Sequence, residues 1–377
     1  MTSLLETEDE TLLRDSARGF LNDASPVSAL RANRDQGRPF DPGLWREMAQ
    51  MGWTGVLVPE EQGGADMGHR AAGILAGEMG QVLAASPFIS SAVMAATTLR
   101  GAATGRAKDA LAQITSGESI YAIAVDEGPK HAPAKTALKA EKSGNGYRLS
   151  GAKTFVADGG SANRVLVLAR TGGEPGNASG LTLFDIDVER AGLSRKTIST
   201  IDSRDHARLN FEGLEATGED IVGELDNGFV TLRHGLEAGQ AALAAELSGL
   251  TAGAYAMTIG YLKERKQFDR TIGSFQALQH RAAHLFSEIE ITASAVINAG
   301  RILDEAPDQA TLAVSVAKAR ATATAKLAVS EGVQMHGGIG MTDEYDIGFF
   351  MKRARVGAEW LGDYGYHAAQ VAAARGF

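Results

Sequence analysis

From Glu10 to about Ala112 the apolar residues recur at helical spacing: Leu13, Ala17, Phe20 and Leu21, then Leu44, Met48 and Met51. Ala71 to Leu83 continues the pattern, and Ser86-Pro87 marks a break. Between Ser119 and about Asn210 the period changes. Ile120, Ala122 and Ala124 alternate with their neighbours, Tyr147-Arg-Leu149 runs into an expected turn at Ser150-Gly151, and Arg164-Val-Leu-Val-Leu-Ala169 reads as a buried strand. Gly144-Asn-Gly146 is a hairpin signal. After Asp226-Asn-Gly228 the chain returns to long Ala- and Leu-rich helices and stays helical to its end. The pattern predicts helices, then a β unit, then helices, with no internal repeat.

A chain of 377 residues has room for two or three packed units. The net charge of −9 argues against a general nucleic-acid surface, which needs clustered Lys and Arg. No run approaches the roughly 20 apolar residues of a membrane span. The segment from Met1 to Glu10 is acidic and lacks the basic-then-apolar order of an export signal. With no cysteine, disulfides, thiolate catalysis and zinc–thiolate sites are excluded. A cytoplasmic protein is the expectation.

Two segments concentrate the chemistry: Glu264-Arg-Lys-Gln-Phe-Asp-Arg-Thr-Ile-Gly-Ser-Phe-Gln276 and Gln334-Met-His-Gly-Gly-Ile-Gly-Met-Thr-Asp-Glu-Tyr345. In the first, a helix meets a basic break and restarts, with Ser274 placed to cap the new helix. In the second, Gly337, Gly338 and Gly340 follow a long Ala-rich run, where glycine lets backbone amides approach a bulky anion. Both segments resemble the signature regions of the acyl-CoA dehydrogenase family, FAD-dependent enzymes that oxidise acyl-CoA thioesters between the α and β carbons. The stretches from Leu44 to Gly64 and from Gly151 to Asn163 resemble the family's N-terminal helix and turn and its middle-domain flavin strand. The resemblance therefore runs along nearly the whole chain. It implies an α+β, mostly α fold: a helical N-terminal domain (1–117), a small middle β-barrel domain (118–222) and a C-terminal four-helix bundle (223–377).

The same resemblance assigns cofactor residues. Arg265 and Phe268 match positions that touch the FAD of a neighbouring subunit. Arginine suits a pyrophosphate because its planar fork donates two parallel charge-assisted hydrogen bonds. Gln276, Gln334, Gly337 and Gly338 match positions around the adenine and its ribose. Phe155 stands where relatives place a tryptophan beside the flavin, and Ala157 where they place a threonine near its reactive edge. Phe155 can still shield a ring face, whereas Ala157 has no hydroxyl. The usual flavin loop is replaced by Val125-Asp-Glu-Gly-Pro-Lys-His131. Implied partners are an acyl-CoA substrate, electron-transfer flavoprotein or a similar acceptor, and other subunits in a homotetramer or a heterotetramer with a related chain.

The family's reaction needs a carboxylate to take the α proton while the flavin takes a β hydride. Both family positions for that carboxylate are vacant: one is Leu361, the other Gly239. Glu246, in the apolar run Ala241-Ala-Leu-Ala-Ala-Glu-Leu247, lies about two turns beyond Gly239. It is either a relocated base or a buried acid paired with a bundle arginine such as Arg281. Glu237 reads as a first-turn residue favoured by the helix dipole. Glu359 and Asp363 flank Leu361, on differently directed side chains. His280 and His284 share helical spacing without a metal motif, and His336 and His367 have no evident relay partner. The expected function is FAD-dependent α,β-desaturation of an acyl-CoA thioester. The alternatives are a non-catalytic, FAD-holding subunit of a two-chain dehydrogenase, and a different flavin reaction on the same fold.

Overall fold

The structure is a computed structural model and describes residues 6–102 and 104–377. Met1 to Leu5, on which the export-signal expectation partly rests, lie outside the described residues. Among the described residues six α-helices come first: α1 (Glu8–Ala24), α2 (Val27–Asp35), α3 (Pro42–Gln50), α4 (Gly68–Val82), α5 (Ala96–Ala102), which continues a π-helical stretch Phe88–Ala95, and α6 (Gly105–Thr115). Eight strands follow: β1 (Tyr121–Ala124), β2 (Lys139–Ser143), β3 (Gly146–Ala157), β4 (Arg164–Arg170), β5 (Leu181–Asp187), β6 (Leu193–Ser199), β7 (Asp205–Ala216) and β8 (Ile221–Val222). The chain then forms α7 (Gly228–Glu264), a short hairpin of β9 (Lys266–Gln267) and β10 (Arg270–Thr271), α8 (Gln276–Glu305), α9 (Ala310–His336), α10 (Ile347–Glu359) and α11 (Tyr364–Ala374). The helix–sheet–helix order expected from the periodicity holds. Among the described residues no helix is long and apolar enough to cross a membrane.

Compactness divides the chain into two units. One comprises the residues through Gly37, His69–Ala85 and Gln240–Phe377; the other comprises Arg38–Gly68 and Ser86–Gly239. The expected N-terminal helical segment is thus shared between two compact units rather than standing alone.

In the sheet unit the strands run in the order β6-β7-β3-β2-β4-β5-β8, with β1 pairing β4 in parallel. The β2–β3 hairpin closes where predicted, with Ser143 opposite Gly146 and Gly144 at φ +56°. Val165, Val167, Phe184, Ile186, Leu209 and Phe211 belong to one apolar core drawn from neighbouring strands. Two local expectations are corrected. Ser150-Gly151 is not a turn but continues β3, opposite a bulge of β7 at Gly213, where the register of the two strands slips. Tyr121–Ala124 is buried at every position, so both faces of β1 are covered and the expected alternation is absent.

In the bundle unit, α4 and α7 cross at contact distance because glycine lines the crossing. A Cβ on Gly249 would stand 1.8 Å from the Gly77 carbonyl oxygen. Helices α8 and α9 are joined by a Thr292–Thr324 hydroxyl bond of 2.7 Å and by Arg281–Glu331 and Arg320–Glu288 ion pairs of 2.6 and 2.8 Å. Buried Glu78 on α4 receives Arg14 and Arg18 from α1, at 2.8 and 3.0 Å.

Candidate functional site

The turn that joins α10 to α11, Trp360 to Asp363, contains Leu361, the residue expected from the sequence to stand at the base position. Leu361 is buried and adopts φ +58°, a conformation unusual for a bulky side chain. Gly362 follows at φ +103°, and a Cβ there would stand 2.5 Å from the Tyr366 ring and 2.8 Å from His367 Nε2. Buried side chains from separate helices bind the turn's carbonyl groups. Gln240 Nε2, on α7, donates to the Leu361 carbonyl at 3.1 Å, and His367 Nε2, on α11, lies 3.1 Å from the same oxygen. Lys318 Nζ, on α9, donates to the Gly362 carbonyl at 3.0 Å, to the Gly357 carbonyl at 3.1 Å and to Thr322 Oγ1 at 3.3 Å. Burial pushes Lys318 down to about 7; Asp363 and Glu359 oppose that fall and Arg353 adds to it. Asp363 caps α11 by accepting from Tyr366 N at 2.8 Å.

Glu246 is committed elsewhere. Arg353 Nε donates to its Oε1 at 2.7 Å and Arg353 Nη2 to its Oε2 at 3.0 Å, with both side chains buried. The expected partner, Arg281, is instead bound to Glu331, so that pairing is corrected. Arg353 reaches Glu246 because α10 packs its buried face, including Phe350, Arg353 and Ala354, inward. Glu237 is also not a first-turn residue: α7 begins at Gly228, and Glu237 is buried well inside the helix. Glu359 pairs with Arg355 one turn back, at 3.3 Å.

The two signature segments converge at one end of the bundle unit. Tyr261 near the end of α7 packs on His336 at the end of α9, 4.5 Å between ring centroids, and His336 on Tyr345 at 4.6 Å. His336 Nδ1 donates to the Gly332 carbonyl at 2.6 Å, and burial lowers its pKa, so the ring is neutral. Around this stack, Arg265, Phe268, Gln276, Gln334, Gly337 and Gly338 are all exposed. Arg265 makes no ion pair among the described residues. Phe268 and Asp269 connect β9 to β10 with positive φ, +53° and +60°, the type I′ geometry that asparagine and glycine normally fill. Phe268 is held there 86% exposed, with one edge toward Phe275. Gly337 ends α9 at φ +66°. Ser274 does not cap α8; its hydroxyl donates to the Thr271 carbonyl at 2.7 Å, and Phe275 takes the cap position without a side-chain bond.

In the sheet unit, Phe155 sits at a bulge of β3 with φ +53°, its ring 4.4 Å from that of His206. Ala157 is buried. The acids of the replaced loop point into their own structure. Asp126 binds His131 Nδ1 at 2.9 Å and Ala132 N at 3.0 Å. Glu127 accepts from Ala137 N, Leu138 N and buried Lys153 Nζ at 2.8–2.9 Å. The Thr154 amide is used by the Asp126 carbonyl.

These residues fit a dinucleotide unequally. The bundle unit offers an unpaired guanidinium, an exposed ring, side-chain amides and a glycine turn with open space above it, the donors and platforms that phosphates and a planar base require. In the sheet unit the matching positions offer the partly exposed Phe155 ring, while Ala157 is buried and has no polar side chain. His280 and His284 lie on the exposed face of α8, with His284 4.0 Å from Glu288. Among the described residues no cluster of three His, Asp or Glu is placed to hold a metal.

Lys318, His367, Gln240 and Arg353 escape sequence reasoning. One signal was available: Lys318 directly follows the small, mostly apolar run Ala313 to Ala317. The others are set by contacts far apart in the chain.

The fold is that of the flavin-dependent acyl-CoA oxidoreductases. Residues 7–118 match the model of the acyl-CoA dehydrogenase N-terminal domain and residues 226–375 that of the C-terminal domain. The chain is 30% identical over 356 residues to acyl-CoA dehydrogenase IpdE2 of Mycobacterium tuberculosis, covering 94% of this chain and 93% of that one. It is 28% identical over 366 residues to the 3-(aryl)acrylate reductase of Clostridium sporogenes, covering 94% and 95%. A solved variant of the Tcur3481–Tcur3483 steroid ACAD superposes with a TM-score of 0.87 at 29% identity, covering 97% of each chain. The chain belongs to the acyl-CoA dehydrogenase family, whose members are FAD-binding flavoproteins.

Proposed function

We propose that this chain is the base-lacking subunit of an FAD-dependent acyl-CoA dehydrogenase built from two related chains. The observation that carries the proposal is the pairing of a buried leucine at the base position, Leu361, with a Glu246 whose two oxygens are already held by Arg353. A carboxylate gripped through both oxygens is stabilised in its charged form and is a poor acceptor for a weakly acidic α proton. The reaction served is α,β-desaturation of an acyl-CoA thioester, with the carboxylate on the partner chain taking the α proton. When bound, FAD supplies the acceptor for the hydride that leaves the β carbon. This chain's part is to hold the dinucleotide: Arg265 on the pyrophosphate, Phe268 and the Gly337-Gly338 turn against its planar and ribose parts, Gln276 and Gln334 on its polar edges.

The two-part name of the Tcur3481–Tcur3483 relative supports assembly from two different chains, and its steroid description supports a bulky acyl group. A heterotetramer passing electrons to electron-transfer flavoprotein or a similar acceptor, in the cytoplasm and in acyl-chain breakdown of the β-oxidation type, completes the reading.

The test is an anaerobic visible titration of the purified chain, alone and with a co-expressed base-bearing homologue. Short, branched and steroid-like acyl-CoAs form the panel, with an arylacrylate included for the reverse direction. Bleaching of the flavin band only in the two-chain preparation is the expected result. Bleaching by the isolated chain overturns the proposal and returns Glu246 to the search for a base.

A further inference from the structure

We propose that Gln240, Lys318 and His367 are positioning residues that hold the Leu361–Gly362 turn in a preformed conformation, so that residue 361 is presented in one fixed direction whatever its side chain. The inference rests on the reading above that this turn stands where relatives carry their base.

A bulky residue in the left-handed region persists only where its surroundings over-determine it, and such outliers concentrate at functional sites. Here the surroundings are identified. The Leu361 carbonyl engages both Gln240 Nε2 and His367 Nε2 at 3.1 Å. The Gly362 carbonyl takes Lys318 Nζ at 3.0 Å, and the same ammonium binds the Gly357 carbonyl, so the end of α10 and the turn are tied to one buried point on α9. Lys318 and His367 are 0% exposed and Gln240 6%. Burying a lysine, a histidine and an amide is costly unless their polar atoms are satisfied, and a leucine needs none of this to be buried. An apolar side chain can be accommodated in an ordinary helix end. The clamp therefore serves the backbone geometry at 361.

Hydrogen exchange over residues 357–367 tests the positioning without requiring cofactor or substrate. Q240L and H367L are expected to speed exchange in that segment by about tenfold or more while the rest of α9 and α10 stays protected. H367Q, which keeps a donor, is expected to restore most of the protection. Wild-type exchange in both Q240L and H367L overturns the proposal, and either variant suffices if the other fails to fold. The second arm installs a carboxylate with L361E. Flavin-containing L361E is expected to be bleached by an acyl-CoA that leaves the parent unbleached, and L361E/H367L to bleach about tenfold more slowly at unchanged flavin absorbance. Flavin-containing L361E that no thioester bleaches overturns the claim that the turn presents residue 361 productively. Absence of flavin from parent and variant alike defeats the cofactor reading instead, and the exchange result then decides the positioning alone.

Discussion

Arg353 grips Glu246 through two hydrogen bonds, Nε to Oε1 at 2.7 Å and Nη2 to Oε2 at 3.0 Å, between residues 107 positions apart in the chain. The pair ties α10 to α7 inside the bundle unit, with both side chains almost fully out of water. Removing one member of such a pair leaves an uncompensated buried charge, at a cost of about 3–5 kcal/mol. Glu246→Gln is therefore expected to lower the unfolding free energy by an amount in that range. Replacing both partners with apolar residues of similar volume, E246L/R353M, is expected to recover much of the loss. Denaturant unfolding of the single and double variants measures both effects. If Glu246→Gln leaves stability unchanged and abolishes flavin bleaching, the carboxylate is catalytic after all.

Helix α7 meets a second neighbour, α4, at closer range. Because α4 and α7 touch backbone to backbone at Gly77 and Gly249, a methyl group at Gly249 meets the Gly77 oxygen at 1.8 Å with nothing flexible to yield. Gly249→Ala must separate two helices along their length, costing about 1–3 kcal/mol or more. Gly260 on the same helix α7 has open space at its Cβ, so Gly260→Ala is expected to be neutral or slightly stabilising through helix propensity. Thermal melts of the two variants separate the crossing from a general intolerance of α7.

The fold was legible because its signals are local. The hairpin at Gly144-Asn145, the end of α9 at Gly337 and the restart at Phe275 are each written in a few adjacent residues. The exposed surface proposed to hold the cofactor could be assembled from the sequence for the same reason, since Arg265, Phe268, Gln334 and Gly337 lie in two continuous segments. What stayed hidden depends on pairing at a distance. Nothing near Glu246 in sequence indicates Arg353 rather than Arg281, because both lie on helices whose faces toward α7 are decided by packing. The π-helical stretch Phe88–Ala95 and the αL conformation of Leu361 were likewise invisible: an apolar run and a leucine carry no mark of unusual backbone geometry. The Ser274 expectation failed where propensity was right and geometry overrode it, the hydroxyl finding a nearer acceptor in Thr271.

Arg265 and Phe268 give the most direct check on the dinucleotide surface. Neither residue supports the fold: the guanidinium is exposed and unpaired, and the ring is 86% exposed on a strained two-residue turn. Arg265→Ala is expected to weaken FAD retention about tenfold or more, the value of charge-assisted hydrogen bonds lost from a phosphate, with an unchanged melting temperature for the cofactor-free chain. Phe268→Gly should relieve the positive φ, raise stability slightly and still reduce flavin retention. Flavin per chain from the visible spectrum after dialysis, read beside the melt, distinguishes a binding role from a structural one. Unchanged flavin content in both variants removes this surface from the cofactor site.

Lys318 sets a pH dependence whose direction follows from its burial. Its ammonium is pushed from 10.5 down to about 7 because it lies in the protein interior. Below pH 7 the group is protonated in folded and unfolded chains alike, and its contribution is constant. Between pH 7 and 10.5 the unfolded chain binds more protons than the folded one, so stability from this group rises with pH. Lys153, pushed down to about 8 by burial beside Glu127, acts in the same direction over a narrower window. From pH 7 to pH 9 the Lys318 contribution is on the order of 2 kcal/mol. Other groups titrate in this range, so the quantity to compare is the difference between wild type and Lys318→Met at each pH. That difference is expected to shift in favour of wild type as pH rises from 7 to 9. A pH-independent difference would mean that Lys318 keeps its proton across the range, with Asp363 and Glu359 outweighing desolvation, and that the turn is held by a fixed charge.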